Sequence, residues 1–496
     1  MRFARLRLGV IAALVAFGTA LTACDAVTVT TDGAATDNGA TDNGATDNAP
    51  ATGTENPWEL AGAATGTGSS GARPGVADAP LTAENGDGGP IDRLSLNAIA
   101  DIEEYWKAEY AKTFPGVFTP VSRYISWDAK APKEQSIQFC RSDTYQLVNA
   151  AYCSGDHTIG WDRGVLLPQV QEKYGAMAVV MVLAHEYGHA IQGQAKIAGL
   201  LTPVLVQEQQ ADCLAGVFLR HVAEGDAKHF TMNMTDGLDG VLGATVAIRD
   251  TDPSNPKNVH GSAFERVTAV QLGYNDGAAA CKKIDRKEIK NRRGTLPTTF
   301  EIADEEQQQL PVDVAALTSV SEALARNFPV RKAPRFDYSG VVKNCPKVTA
   351  TAPVSYCPTA NTIGTDVPAL AERGEATGED EILSDTVAGD YNAFIVFVSR
   401  YMLAVQQDRG LTLTGAETAG LRTACLSGAF TTALSEPNSD PRLSAKDLDE
   451  AVSGLLSDGL AAADVDGKIV TSGYQRLEAF RTGVLDGEQT CLTKFA

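Results

Sequence analysis

Histidine is scarce in this chain, with six in 496 residues, so two of them at a fixed spacing carry weight. Basic residues are also short: 42 Lys and Arg stand against 62 Asp and Glu, for a formal net charge of −20. A surface so acidic excludes nucleic acid as a partner, because phosphate must be met by cations. The apolar stretch near the start, Leu8 to Leu21, is only 14 residues long, too short to span a bilayer comfortably. From Cys24 to about residue 90 the chain lacks the material of a core, being mostly Gly, Ala, Thr, Asp and Asn, with ATDNG recurring through Ala35–Ala49.

What is present centres on five residues, His185-Glu186-Tyr187-Gly188-His189, at the end of the apolar run Ala176–Ala184. The run has no proline and predicts a buried helix. On a helix, residues four apart share a face, so both imidazoles can reach one metal ion while Glu186 meets a metal-bound water. This is the sequence form of a zinc hydrolase site. Catalytic zinc takes three protein ligands and leaves one position open. The third is expected from a second helix, Thr202 to Gly225, with Thr202 as N-cap and Pro203 in the first turn. Glu208 and Asp212 lie four apart on it. Glu208 can complete the coordination, and Asp212 can fix the tautomer of His185 through its second N–H.

H-E-x-x-H followed by E-x-x-x-D on a separate helix resembles the gluzincin class of metallopeptidases. The wording AHEYGHAIQ (Ala184–Gln192) and EQQADCLAG (Glu208–Gly216) resembles the predicted neutral zinc metallopeptidases of bacteria. Tyr152-Cys153 leading into Asp156 and Asp162, and His260-Gly261-Ser262 with Arg266, extend the likeness over roughly residues 95 to 283. The resemblance implies His185, His189 and Glu208 as zinc ligands and Glu186 as catalytic base. It also places Thr158–Asp162 as a strand that pairs with the substrate backbone, although an ordinary core strand fits the same residues. His260, just before a helix start, is a candidate second donor to the oxyanion; satisfying a helix end is the equal alternative.

The chain repeats itself at an offset near 210 residues. Ser262, Arg266, Ala269, Gly273, Asp276, Gly277 and Cys281 recur as Ser472, Arg476, Ala479, Gly483, Asp486, Gly487 and Cys491. Gly175–Gln192 recurs as Gly389–Gln406, where Ser399, Arg400 and Leu403 stand opposite His185, Glu186 and His189. Glu208, Asp212 and His260 face Gly420, Ala424 and Val470. Residues kept in both copies, Arg266 and Asp276 among them, read as structural; residues present only in the first read as chemical. The second copy is expected to be pseudo-catalytic and to pack on the first.

Arg2, Arg5 and Arg7 before Leu8–Leu21 mark residues 1–23 as a signal peptide. Leu21-Thr22-Ala23-Cys24 resembles a bacterial lipobox, which implies cleavage before Cys24 and its lipidation. Removing the three arginines makes the mature chain −23. Eight cysteines remain, an even number in an exported chain. The repeat suggests Cys140–Cys153, Cys213–Cys281, Cys345–Cys357 and Cys425–Cys491 as the simplest pairing.

The expectation is therefore an α+β, mainly α protein, a zincin-like metallopeptidase domain duplicated in tandem. Its parts are a leader (1–23), a flexible tether (24–90), a peptidase domain (91–283), a basic linker (284–300) holding most of the cation-rich run Lys282–Arg293, which reads as a solvated face with contact to anionic lipid or polymer as the alternative, and a degenerate repeat (301–496). The expected function is a zinc-dependent endopeptidase, lipid-anchored on the outer face of the cell membrane, acting on peptides or proteins of the cell envelope. The alternative is a binding or assembly lipoprotein whose zinc site is structural or vestigial.

Overall fold

The computed structural model describes residues 68–250, 260–299, 309–375 and 383–496. The expected leader, Cys24 and most of the tether lie outside the described residues. Those that are described belong to one compact unit, Leu60–Ala496. It is mainly helical with small sheets, as the sequence leads one to expect. Among the described residues no helix is long and apolar enough to cross a membrane.

In the first half, helix α1 (Pro90–Thr113) leads to a three-stranded sheet of β1 (Arg123–Trp127), β2 (Ala150–Cys153) and β3 (Thr158–Asp162). The strand order is β1-β3-β2, with β1 and β3 parallel and β3 and β2 antiparallel. Helix α2 (Ala176–Ala195) follows, buried on nearly every side, as a helix that is apolar all round must be. It packs on α3 (Val204–Ala223), whose N-cap is Pro203 rather than Thr202. Gly188 permits that approach: a Cβ there would lie 3.0 Å from the Ala211 backbone. Helices α4 (Asp236–Ala247) and α5 (Ala263–Asp276) close the half, α5 starting in a Ser262/Glu265 capping box. Helix α6 (Arg286–Arg293) comes next.

The expected boundaries need two corrections. Part of the stretch assigned to the tether is built into the domain: Gly71–Ala72 pairs with Phe230–Thr231, and Arg73 donates to the carbonyls of Gly225, Ala227 and Phe230. The expected basic linker is not merely a solvated connection either. It contains α6, whose Arg292 reaches Gln209 on α3 and whose Arg293 reaches Glu265 on α5.

The second half carries elements in the same order. Strands β4 (Arg335–Asp337), β5 (Val354–Cys357) and β6 (Thr362–Thr365) form a sheet of order β4-β6-β5 with the same parallel and antiparallel pairings. Helices α7 (Asp390–Asp408), α8 (Leu421–Leu434), α9 (Asp447–Ser457) and α10 (Gly473–Lys494) follow. The crossing of α3 and α5 is so close that a Cβ on Gly273 would sit 1.8 Å from the Cys213 carbonyl oxygen; at α8 and α10 the matching figure, Gly483 to Cys425, is 1.7 Å. The four disulfides are Cys140–Cys153, Cys213–Cys281, Cys345–Cys357 and Cys425–Cys491.

The halves meet through a reciprocal exchange of helix caps. Asp239 on α4 accepts the backbone N–H groups of Gly473 (2.9 Å) and Tyr474 (3.1 Å) at the start of α10. Asp449 on α9 accepts the N–H of Phe264 (3.0 Å) at the start of α5. A carboxylate at a helix N-terminus meets orphan donors and the positive end of the dipole. Asp239 and Asp449 are 210 positions apart, the repeat offset, so the contact has the self-complementary logic of a twofold interface.

This burial of acids predicts a pH dependence. Burial pushes Asp239, Asp449 and Asp447 up to about 6, and burial together with nearby Asp447 pushes Asp390 up to about 8. An unfolded Asp titrates near ~3.9. Between these values the folded chain holds protons that the unfolded chain releases, so folded stability falls as pH rises. The expected Tm decreases from about pH 5 to about pH 8, and Asp390→Asn makes the decline shallower. A Tm that rises over this interval would contradict the assignment.

Candidate metal centre

The two histidines of α2 and the carboxylate of α3 converge. His185 Nε2 lies 3.3 Å from Glu208 Oε2, and His189 Nε2 lies 3.7 Å from Glu208 Oε1. One ligand atom from each falls within 4.8 Å of the others. Two ligands at the edge of a tetrahedral zinc ion are about 3.3 Å apart, given bonds of about 2.0–2.1 Å, so the donor set fits such an ion.

Both rings are held from behind. His185 Nδ1 is 2.7 Å from Asp212 Oδ1, and His189 Nδ1 is 3.0 Å from Gln192 Oε1. A neutral imidazole donating from Nδ1 presents its lone pair at Nε2, toward Glu208. Asp212 is clamped in turn by Arg266, through Nε (3.0 Å) and Nη2 (2.8 Å), while Arg266 Nη1 reaches the Ile248 carbonyl. Burial opposes charge on His185, yet Asp212 and Glu208 outweigh it and push its pKa up to about 10. Burial also works against ionised Glu208, but His189 and His185 hold its carboxyl well below the usual range. The centre is thus an acidic well that a cation would satisfy.

Glu186 sits beside the histidines, its Oε2 accepting the Tyr152 backbone N–H at 3.0 Å. Burial pushes its carboxyl up, and the adjacent histidines pull against that. A carboxylate raised toward neutrality is suited to carrying a proton in both directions. The Tyr152 bond also reveals the sheet's orientation. Asp162 N–H pairs with the Asn149 carbonyl, so three residues along the strand, an odd step in the alternation, the Tyr152 N–H points away from β3. Strand β2 is therefore an edge strand facing the site. This corrects the expectation for Thr158–Asp162: β3 is the middle strand, paired on both sides, and has no edge left for a substrate.

His260 stands at the rim, its side chain 26% exposed, with Nδ1 3.1 Å from Asp250 Oδ1. It is close enough for its charge to act on Glu208. Asp250 also accepts the Gly261 N–H at 2.8 Å, so one carboxylate fixes both ring and backbone. Beside it opens a cavity of about 300 Å³, lined by Leu205, Asp250, Gly261 and Phe264 from the first half and Leu448 and Asp449 from the second.

Three contributors escaped the sequence reading. Gln192 lies three residues after His189, on the same helix face, and that spacing could have flagged it. The Tyr152 amide carries no side-chain signal. Arg266 was read as structural because Arg476 matches it, yet it braces Asp212.

The equivalent place in the second half is filled. Arg400, opposite Glu186, is fully buried and donates to the carbonyls of Asp464 (3.1 Å) and Leu460 (2.7 Å). Burial lowers its pKa to about 10. Ser399 turns back to the Val396 carbonyl. A further group of carboxylates, Asp390, Asp447 and Glu450, clusters in this half. Burial, with their mutual repulsion, raises Asp390 and Glu450.

The chain is 30% identical to an uncharacterized protein of Mycobacterium bovis and to two uncharacterized proteins from strains of Mycobacterium tuberculosis. Each alignment covers 26% of this chain and 53% of the relative, so the chain spans about half the length of the curated relatives it matches. No family model and no solved structure matches it.

Proposed function

We propose that the first half is a zinc-dependent endopeptidase, exported and held by a lipid on Cys24 to the outer face of the cell membrane, and that the second half is a tandem copy without the chemistry. The observation that carries the peptidase reading is the convergence of His185, His189 and Glu208 with a buried Glu186 beside them. A structural metal site needs no such base.

His185, His189 and Glu208 would hold the ion. Zinc bound there would supply Lewis acidity toward water and the peptide carbonyl. Glu186 takes the proton from the attacking water and returns it to the leaving amine. His260, oriented by Asp250, donates to the oxygen on which negative charge develops. The outer edge of β2, beyond the Tyr152 N–H that Glu186 holds, receives the peptide backbone in extended form. The shared strand order, the paired disulfides and the reciprocal caps support duplication; Arg400 in place of Glu186 supports loss of chemistry.

The test is metal analysis with activity. The purified chain is expected to carry one tightly bound zinc, and a chelator is expected to abolish peptide cleavage until zinc is restored. Two tight sites per chain would sink the inert-copy reading, and chelator-insensitive cleavage would sink the zinc reading.

A further inference from the structure

The turn joining α2 to α3 is closed by two hydrogen bonds. Thr202 N–H donates to the Gly199 carbonyl at 2.9 Å, and Gly199 N–H donates to Thr202 Oγ1 at 2.9 Å. This closes a four-residue turn whose two corners are Leu200 and Leu201. Corner positions ordinarily hold Gly, Asn, Asp, Ser or Pro. Here the leucines are 86% and 93% exposed, and Val204, three residues after Leu201, is 44% exposed. Apolar side chains gathered at one protruding point mark an interaction site.

The basic segment lies beside this turn. Gln210 Nε2 donates to the Ile197 carbonyl at 3.4 Å and to the Ile284 carbonyl at 2.8 Å, which brings the approach to the turn against the approach to α6. Pro203, Leu205 and Val206 share a surface depression with Arg286, Lys290 and Arg293. Lys196, Lys282, Lys283, Arg286, Lys287 and Lys290 are all exposed. The acids among them are engaged elsewhere: Asp285 caps α6 and Glu288 holds Arg292. Arg286, Lys290 and Arg293 thus lie beside the segment that follows the two leucines, with further exposed lysines in the same run, on a chain whose net charge is −20.

We infer that the Gly199–Thr202 turn and the basic face around α6 form a docking surface for an anionic phospholipid bilayer, Leu200 and Leu201 entering the interface while the lysines and arginines meet the headgroups. Each part answers to a known component of interfacial binding, apolar insertion and attraction to anionic lipid. The charge pattern selects this occupant: a neutral apolar partner gives no use to six cations, and a soluble polyanion gives none to two exposed leucines. The surface does not depend on the peptidase reading. It would complement a lipid anchor, since one chain alone binds a membrane reversibly.

A local probe tests it in the full chain, independent of any anchor. Leu201→Trp is placed at a site with no packing to lose, and the parent's emission is subtracted. With phosphatidylcholine vesicles containing phosphatidylglycerol, the added indole is expected to shift to the blue and to be quenched by brominated acyl chains. Arg286→Gln/Lys290→Gln in the same background is expected to weaken the vesicle concentration dependence by about 30-fold, roughly fivefold for each cation removed. Pure phosphatidylcholine is expected to give little change. An indole that stays water-exposed on anionic vesicles, or that responds equally to neutral ones, would overturn the proposal. So would a response to soluble polyphosphate with none to vesicles.

Discussion

Glu186→Gln is expected to retain one zinc per chain and to lose peptide cleavage by about 10²–10⁴-fold, the range typical of a missing general base. The substitution suits the question because it preserves shape. A glutamine carbonyl oxygen can still accept the Tyr152 N–H that the Glu186 carboxylate accepts at 3.0 Å, so the contact between β2 and α2 survives. The His185, His189 and Glu208 donors are untouched. What disappears is the capacity to take a proton from water and hand it to the amine. Zinc content and thermal unfolding read the scaffold; cleavage reads the base. If the variant holds zinc and still cleaves, the base lies elsewhere. If it holds zinc, cleaves nothing, and supports every cellular role of the parent, the binding or assembly lipoprotein becomes the better description.

The geometry of the candidate site was legible to the extent that it is written in helical periodicity. His185 and His189 are four apart on α2, and Glu208 and Asp212 are four apart on α3, so each pair had to share a face. That the two faces meet follows from small residues, and Gly188 against Ala211 is the contact that sets their separation. The repeat divides the cysteines into two matching sets of four, each still open to three pairings, and the simplest of these is the one formed. A helix start was expected just after His260, and α5 begins there, held by the Ser262/Glu265 capping box.

Long-range backbone pairing was not legible. Nothing in Thr158–Asp162 distinguishes a middle strand from an edge strand, since that depends on where β1 and β2 settle. The Gly/Asp-rich stretch before residue 90 has the composition of a tether, yet two strand residues and the Arg73 guanidinium suffice to seat it on main-chain carbonyls. Composition reports how much apolar surface a segment can bury, not which backbone groups it can satisfy. Arg266 shows a limit of comparing repeats. The same arginine is kept in both halves, but Arg476 is satisfied by the carbonyls of Leu455, Leu456, Val470 and Thr471, and Arg266 mainly by Asp212.

That contrast carries the second large expected effect. Asp212→Ala leaves the fully buried Arg266 guanidinium with one carbonyl contact, to Ile248, and no hydrogen-bonded carboxylate, only the more distant charges of Glu208 and Asp250. Removing one partner of a buried ion pair costs about 3–5 kcal/mol, because the survivor stays desolvated and unpaired. For a unit of this size the Tm is expected to fall by about 3–5 °C. Zinc affinity is expected to drop by about 10–100-fold as well, since His185 loses the acceptor on its Nδ1. The two losses have different causes and can be separated. Asp212→Ala/Arg266→Met removes the stranded charge and fills part of its volume, so much of the lost Tm should return while zinc binding stays weak. The second half already tolerates alanine at this position, Ala424, because its arginine found four carbonyls instead. If the double variant recovers zinc affinity together with stability, Asp212 serves the fold alone and has no part in orienting His185.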